Sequence, residues 1–262
     1  MSSVKKLIRT LQSELPFLKG AKDKFYFYSR RILRLPHESD FKAIARFPQQ
    51  WQGCFVDIGA NHGQSIESIL LFRSTAEIVS FEANPLLANA LIERYKAKPH
   101  IRIRPFGLAS VAGEFTLYVP SYKNFLYDGL ASLDRRSAET WISDKTVYWF
   151  DPLKVAVDQI ACRAETLDSQ KLQPAFIKID VQGFEYEVLL GGIETIRKFE
   201  PVLLLEDFRS DERTVKLAND LGYDEYKFDG AFFRKGSHTG TSQNSFLLTA
   251  ARALELEAIS AE

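Results

Sequence analysis

The 262-residue chain balances 34 Lys and Arg against 34 Asp and Glu, and 45% of its residues are hydrophobic. Zero net charge argues against non-specific nucleic-acid binding as the main activity, and the apolar content is enough for one large α/β domain with an appendage. The two cysteines, Cys54 and Cys162, lack the spacing of a disulfide framework or zinc site, and no apolar run has the length of a membrane span or a signal core, so a reducing, cytoplasmic location is expected.

Charge is uneven along the chain. Residues 1–35 hold nine Lys or Arg against Glu14 and Asp23, which leaves the head near +7 and the body near −7. Val4, Leu7, Ile8, Leu11 and Leu15 keep helical spacing up to Pro16, and Phe25 to Leu35 interleaves aromatic and aliphatic residues with Lys24, Arg30, Arg31 and Arg34. We read residues 1–50 as a basic helical extension. Residues 1–35 fit two roles: docking on an anionic membrane, acceptor or partner, or a helical cap on the body with its charges solvated.

From residue 51 to 250 strands and helices alternate. The spacing predicts strands at Cys54–Ile58, Ile78–Phe81, Ile101–Pro105, Phe176–Val181 and Val202–Leu205, with helices at Gln64–Phe72, Leu86–Tyr95, Glu185–Gly191 and Thr214–Leu221. An extra strand is expected at Glu114–Val119. Periodicity fails over 120–151, a stretch rich in Tyr, Trp, Asp and Ser that reads as an insertion or lid for an acceptor, or as a surface excursion. Tyr226–Arg234 and Ser245–Thr249 point to a terminal hairpin turned at Asp229-Gly230, and residues 251–262 form a tail. The fold class is therefore α/β: a doubly wound, mostly parallel Rossmann-like sheet with a C-terminal antiparallel hairpin and an N-terminal helical extension.

The segment Phe55–Gly63 (FVDIGANHG) is richest in chemistry. Gly59 and Gly63 allow a tight turn and leave bare peptide against which a ligand could lie. Glu82, at the carboxyl end of the next strand, is placed to accept hydrogen bonds from ribose hydroxyls. Together they point to a nucleoside ligand. The dinucleotide fingerprint GxGxxG is absent, and Asp57 would oppose a phosphate but favour a cation. S-adenosylmethionine matches that demand, with a sulfonium, an ammonium and a ribose but no phosphate.

These residues carry a resemblance. The chain resembles the FkbM-type methyltransferases, a branch of the class I S-adenosylmethionine-dependent enzymes, from about Phe55 to Leu248. The matching segments are FVDIGANHG, SFEANP at 80–85, FGLAS at 106–110, ETLD at 165–168, FIKIDVQGFEYEVLLGG at 176–192 and NSFLL at 244–248. Gln182 departs from the family's usual Glu. The resemblance implies the fold, the cofactor and an acceptor hydroxyl on a sugar, glycan or other small molecule.

On these grounds Asp57, Gly59, Asn61, His62, Gly63, Glu82, Ala83, Phe106, Gly107 and Asp180 are expected to line the cofactor site. Asp57 would serve the ammonium end and Glu82 the ribose. In this fold class the adenine ring is received after the third strand, where an exposed Phe106 would stack on it and a buried one would belong to the core. Methyl transfer to a neutral hydroxyl also needs proton removal. Asp180 is the leading candidate for that role, with Lys178 on the same strand face; the alternative is a structural ion pair between them. Asp180, Glu206 and Asp207 form a weak oxygen-ligand set for a divalent metal. Gln182 keeps open a non-catalytic scaffold that retained the fold, and a nicotinamide-dependent oxidoreductase is disfavoured by the absent third glycine.

Overall fold

A computed structural model describes residues 3–15, 27–30, 32–123, 125–236 and 244–258. Pro16, Lys24, Phe25, Tyr26 and Arg31 of the basic head lie outside these residues. The strands are β1 (Cys54–Ile58), β2 (Ile78–Phe81), β3 (Ile101–Arg104), β4 (Gly107–Leu108), β5 (Gly113–Tyr122), β6 (Phe125–Leu126), β7 (Val155–Glu165), β8 (Pro174–Ile179), β9 (Val202–Glu206), β10 (Tyr223–Phe228), β11 (Phe233–Lys235) and β12 (Asn244–Thr249). The α-helices are α1 (Ser3–Glu14), α2 (Gln64–Phe72), α3 (Pro85–Tyr95), α4 (Arg135–Trp141), α5 (Glu185–Leu190), α6 (Ile193–Phe199), α7 (Glu212–Asp220) and α8 (Ala250–Glu255). Among the described residues no helix is long and apolar enough to cross a membrane. The chain sorts into two compact units, residues 1–33 with 114–162, and residues 34–113 with 163–262.

The larger unit is built on a sheet that contains, among the described residues, eight strands in the order β11-β10-β12-β9-β8-β1-β2-β3. Strands β3, β2, β1, β8 and β9 pair in parallel, and β12 enters antiparallel to both β9 and β10. The hairpin turn expected at Asp229-Gly230 joins β10 to β11, where Asp229 Oδ1 accepts from the amides of Ala231 and Phe232 at 2.8 Å each.

Side chains alternate across this sheet, which explains why the strands read as continuous apolar runs. Phe55, Ile78, Phe176 and Leu204 fall in one buried cluster with Phe41 and Ile44. Their neighbours Val56, Val79, Ile177 and Leu203 fall in a second cluster with Val188 and Ile196 of α5 and α6. Both faces are thus covered. Strand order reverses beside β1: the chain runs outward through β2 and β3, then returns to β8 on the other side. Such a switch point opens a crevice at the carboxyl ends of β1 and β8.

In the smaller unit β7, β5 and β6 are neighbours in a sheet, and Tyr122, Phe125, Tyr127, Ile142 and Val147 form its core. The 120–151 stretch is therefore an ordered part of a compact body with its own apolar centre. Strand β7 has no counterpart in the sequence reading, and neither has α6.

Candidate active site

A row of polar side chains crosses the larger sheet where an apolar row would otherwise lie. Asp57 stands in register with Ser80 of β2 on one side and Lys178 of β8 on the other. Asp57 is fully buried, and its Oδ2 accepts from the Ser80 hydroxyl at 2.8 Å. Burial pushes the Asp57 carboxyl upward in pKa, against the opposing pull of Lys178 and of the Ser80 and Ser65 hydroxyls. Its Oδ1 is buried without a partner of proper hydrogen-bond geometry.

The loop after β1 is fixed by Glu82. One Glu82 oxygen accepts from the Asn61 amide at 2.7 Å and the other from the Asn84 amide at 2.8 Å, so a single carboxylate ties the ends of β1 and β2 together. Burial raises its pKa and the two amides oppose that rise. Each oxygen keeps a further lone pair. Asn84 caps α3, its Oδ1 accepting from Leu86 N at 3.0 Å ahead of Pro85 at the first helical position. Asn84 Nδ2 and Asn61 Oδ1 are buried without partners. Buried polar atoms normally find partners, so this group beside Asp57 Oδ1 is an exception that a polar ligand would resolve.

The loop glycines serve a different purpose from the one their spacing implied. Gly59 has φ +85, and a Cβ there would collide with the Asp180 carbonyl oxygen. Gly63 has φ +86, and a Cβ there would meet Leu91 Cδ2 at 2.9 Å and the Tyr95 hydroxyl at 3.1 Å. Both glycines admit neighbouring protein, so they do not by themselves leave a ligand-facing surface. Asn61 between them is left-handed as well, at φ +49. His62 donates its amide to Gln64 Oε1 at 3.1 Å.

Phe106 is not exposed. It is 8% accessible, meets Phe81 edge-on at 5.6 Å and lies under the Arg163 guanidinium at 5.0 Å, so its ring belongs to the core rather than to an open stacking platform. Gly107 faces Ala83, where an added Cβ would meet the alanine methyl at 3.2 Å.

Beyond β8 lies a second polar group. Lys178 Nζ donates to Asp180 Oδ2 at 2.8 Å, and Gln182 Nε2 reaches Asp180 Oδ1 at 3.3 Å and Glu206 Oε2 at 3.5 Å. Burial alone would lower the Lys178 ammonium, yet Asp180 and Asp57 together hold its pKa above the ordinary value. Asp180 and Glu206 share a hydrogen bond and divide in character. Burial would raise Asp180, but Lys178 and the bond to Glu206 outweigh it and hold Asp180 at about 2. Burial and the Asp180 charge push Glu206 up to about 8. The expected Asp180–Lys178 relation is thus an ion pair, and the basic member of the carboxyl pair is Glu206.

The metal set fares differently. Asp207 is exposed and left-handed at φ +46, and among the described residues no three His, Cys, Asp or Glu side chains gather into a metal-sized group. Glu206 hydrogen-bonds Asp180 instead. Opposite Glu206 in β12 stands Asn244, whose Nδ2 donates to Glu38 Oε2 at 2.7 Å and to Asp40 Oδ2 at 3.2 Å. Glu38, Asp40 and Asn244 escaped the sequence reading because more than two hundred residues separate the partners. Ser80, by contrast, was visible as a polar residue inside an apolar strand. Glu185 closes the group from α5, its Oε1 accepting from the amides of Val181 and Gly183 at 3.2 Å each.

The larger unit is thus a doubly wound α/β sheet with an acid at the end of β2 and unpartnered polar atoms at its switch point, the place where such sheets take ligands. The chain belongs to the methyltransferase FkbM domain family, whose match covers residues 57–230, about two thirds of its length. No curated protein matches it. Among solved structures it is similar to a methyltransferase FkbM from Methylobacillus flagellatus KT, at 13% identity and TM-score 0.46, over 75% of this chain and 43% of that one. This chain thus spans less than half the length of that relative. It is also similar to a precorrin-6y C5,15-methyltransferase from Geobacter metallireducens GS-15, at 15% identity and TM-score 0.36, over 78% and 82% of the two chains. A third is a SAM-dependent O-methyltransferase from Thermotoga maritima, at 10% identity and TM-score 0.38, over 82% and 65%.

Proposed function

We propose that this protein is an S-adenosylmethionine-dependent O-methyltransferase acting on a hydroxyl of a sugar, glycan or secondary metabolite. The observation that carries the reading is the trio of unpartnered buried atoms, Asp57 Oδ1, Asn61 Oδ1 and Asn84 Nδ2, set around Glu82 in a member of a methyltransferase family. These residues fit the cofactor: the acceptor oxygens of Asp57 and Asn61 suit an ammonium, and the free lone pairs of Glu82 suit a ribose diol. The bound cofactor supplies the activated methyl group.

The chain's own part is to orient the acceptor, exclude water and take a proton. Asp180 is too acidic for the last task while Lys178 holds it. Its partner Glu206 is the stronger base, so the pair accepts the hydroxyl proton on the Glu206 side, and turnover rises as pH passes through about 8. Lys178 positions Asp180 from a buried site and does not meet the acceptor.

Calorimetry tests the cofactor assignment. Asp57→Ala and Glu82→Ala should each abolish measurable S-adenosylmethionine binding, and undiminished affinity in both variants would sink it. Incubation with methyl-labelled cofactor and a lysate of the source, followed by mass spectrometry, then finds the acceptor. A labelled hydroxyl product excludes a non-catalytic scaffold.

A further inference from the structure

Helix α1 turns its polar side inward. Thr10 and Ser13 are buried at 3% and 2% exposure, and Thr10 Oγ1 accepts from the Tyr148 amide at 2.8 Å. The Tyr127 hydroxyl donates to the Arg9 carbonyl at 3.3 Å. Arg9 lies 4.3 Å over the Trp141 ring, Lys6 lies 4.4 Å over the Tyr148 ring, and Glu14 pairs with Lys123. Polar and cation-π contacts therefore hold the helix to the 114–162 body.

The apolar side faces outward. Leu7, Ile8, Leu11 and Leu15, spaced to share one helical face, are 49%, 43%, 51% and 38% exposed. Next to Tyr148 in the same unit stands Trp149, 82% exposed and left-handed at φ +51, a conformation bulky residues rarely adopt. Leu153 follows at 93% exposure. An aliphatic stripe with an outward indole is far from the usual surface of a monomer.

We propose that this face docks on the surface of an anionic lipid bilayer. Charge complementarity selects that occupant: residues 1–35 carry nine Lys or Arg against two acids, and with Lys6 and Arg9 set on the rings of Tyr148 and Trp141 and Glu14 engaged with Lys123, seven basic residues stand against Asp23 alone. Two copies of so basic a segment would repel across a shared apolar face, whereas anionic headgroups attract it while the leucines and Trp149 enter the acyl boundary. With twelve residues, α1 lies on the surface and does not cross it. This docking is independent of the cofactor assignment.

The test is sedimentation of the full chain with phosphatidylcholine vesicles, with and without phosphatidylglycerol. Wild type should bind only the anionic vesicles and release as salt rises. Leu11→Glu should lower the partition coefficient about tenfold or more, by removing an apolar anchor and adding a repelled charge. Trp149→Phe should remove most of the emission blue shift seen on binding. Both positions are exposed, so thermal melts and S-adenosylmethionine affinity should stay unchanged. Equal binding to neutral vesicles, no binding, or unimpaired binding of Leu11→Glu would overturn the proposal. So would a dimer in sedimentation velocity that Leu11→Glu dissociates without any vesicle binding, which would assign the face to a second copy.

Discussion

Replacing Glu206 by Gln removes the titrating member of the carboxyl pair while keeping an amide that can still donate to Asp180. Glu206 stands at about 8 in the folded protein against an ordinary 4.5. A carboxyl raised in this way stabilises the fold fully below about pH 4.5 and loses that contribution as pH climbs through about 8, because the folded state holds the proton that the unfolded chain has released. At about 1.4 kcal/mol per pH unit the displacement corresponds to ~5 kcal/mol. Glu206 is only half-buried, and solvent screening reduces this to ~2 kcal/mol. Urea unfolding of both proteins at about pH 5 and about pH 9 measures it. Relative to the variant, wild type should lose ~2 kcal/mol between those two values. Parallel stabilities across the range would refute the shared-proton pair, and with it the assignment of Glu206 as the base.

Three further perturbations follow from the same geometry. Gly59→Ala places a methyl against the Asp180 carbonyl at a positive φ; a loss of about 3 kcal/mol or more, or insoluble protein, is expected in denaturation assays. Lys178→Met strands Asp57 and Asp180 beside each other. Urea titration should register a loss of ~3–5 kcal/mol that shrinks as the carboxyls protonate at acid pH. Asn244→Ala leaves Glu38 and Asp40 without their shared donor and should cost about 1–3 kcal/mol by thermal melting, with S-adenosylmethionine affinity retained.

Much of the larger unit was legible because its local signals agree. Cys54–Ile58, Gln64–Phe72 and Ile78–Phe81 fold as their spacing predicts, since strands buried on both faces read as short apolar runs and α2 carries a clear apolar side. Strand β7 was not legible: VAVDQIACRAE mixes small and polar residues, and most of its positions are half or fully exposed. Helix α6 escaped because IETIRKF is too short to set a helical period against Gly191-Gly192.

The site divides in the same way. Asp57 and Glu82 could be singled out because an acid that closes an apolar strand is conspicuous in one dimension. Phe106 could not be placed, since an aromatic after a strand looks the same whether it packs edge-on against Phe81 or faces solvent. Asp180 stood out, but its acidity depends on Lys178, Gln182 and Glu206 converging from separate positions. Helix α1 gives the sharpest case: its period was plain, yet its apolar stripe faces outward, and only the contacts of Arg9 and Thr10 and the burial of Ser13 reveal this.

By itself the sequence determined the α/β alternation, the turn at Gly59–Gly63, the acid at the end of β2 and the family, because each depends on neighbours within a few residues. Tertiary structure alone decided that the glycines accommodate protein, that Lys178 holds Asp180 in an ion pair, and that Glu38, Asp40 and Asn244 meet opposite Glu206. Burial and charge coupling act through space between strands far apart in the chain, and no local pattern records them.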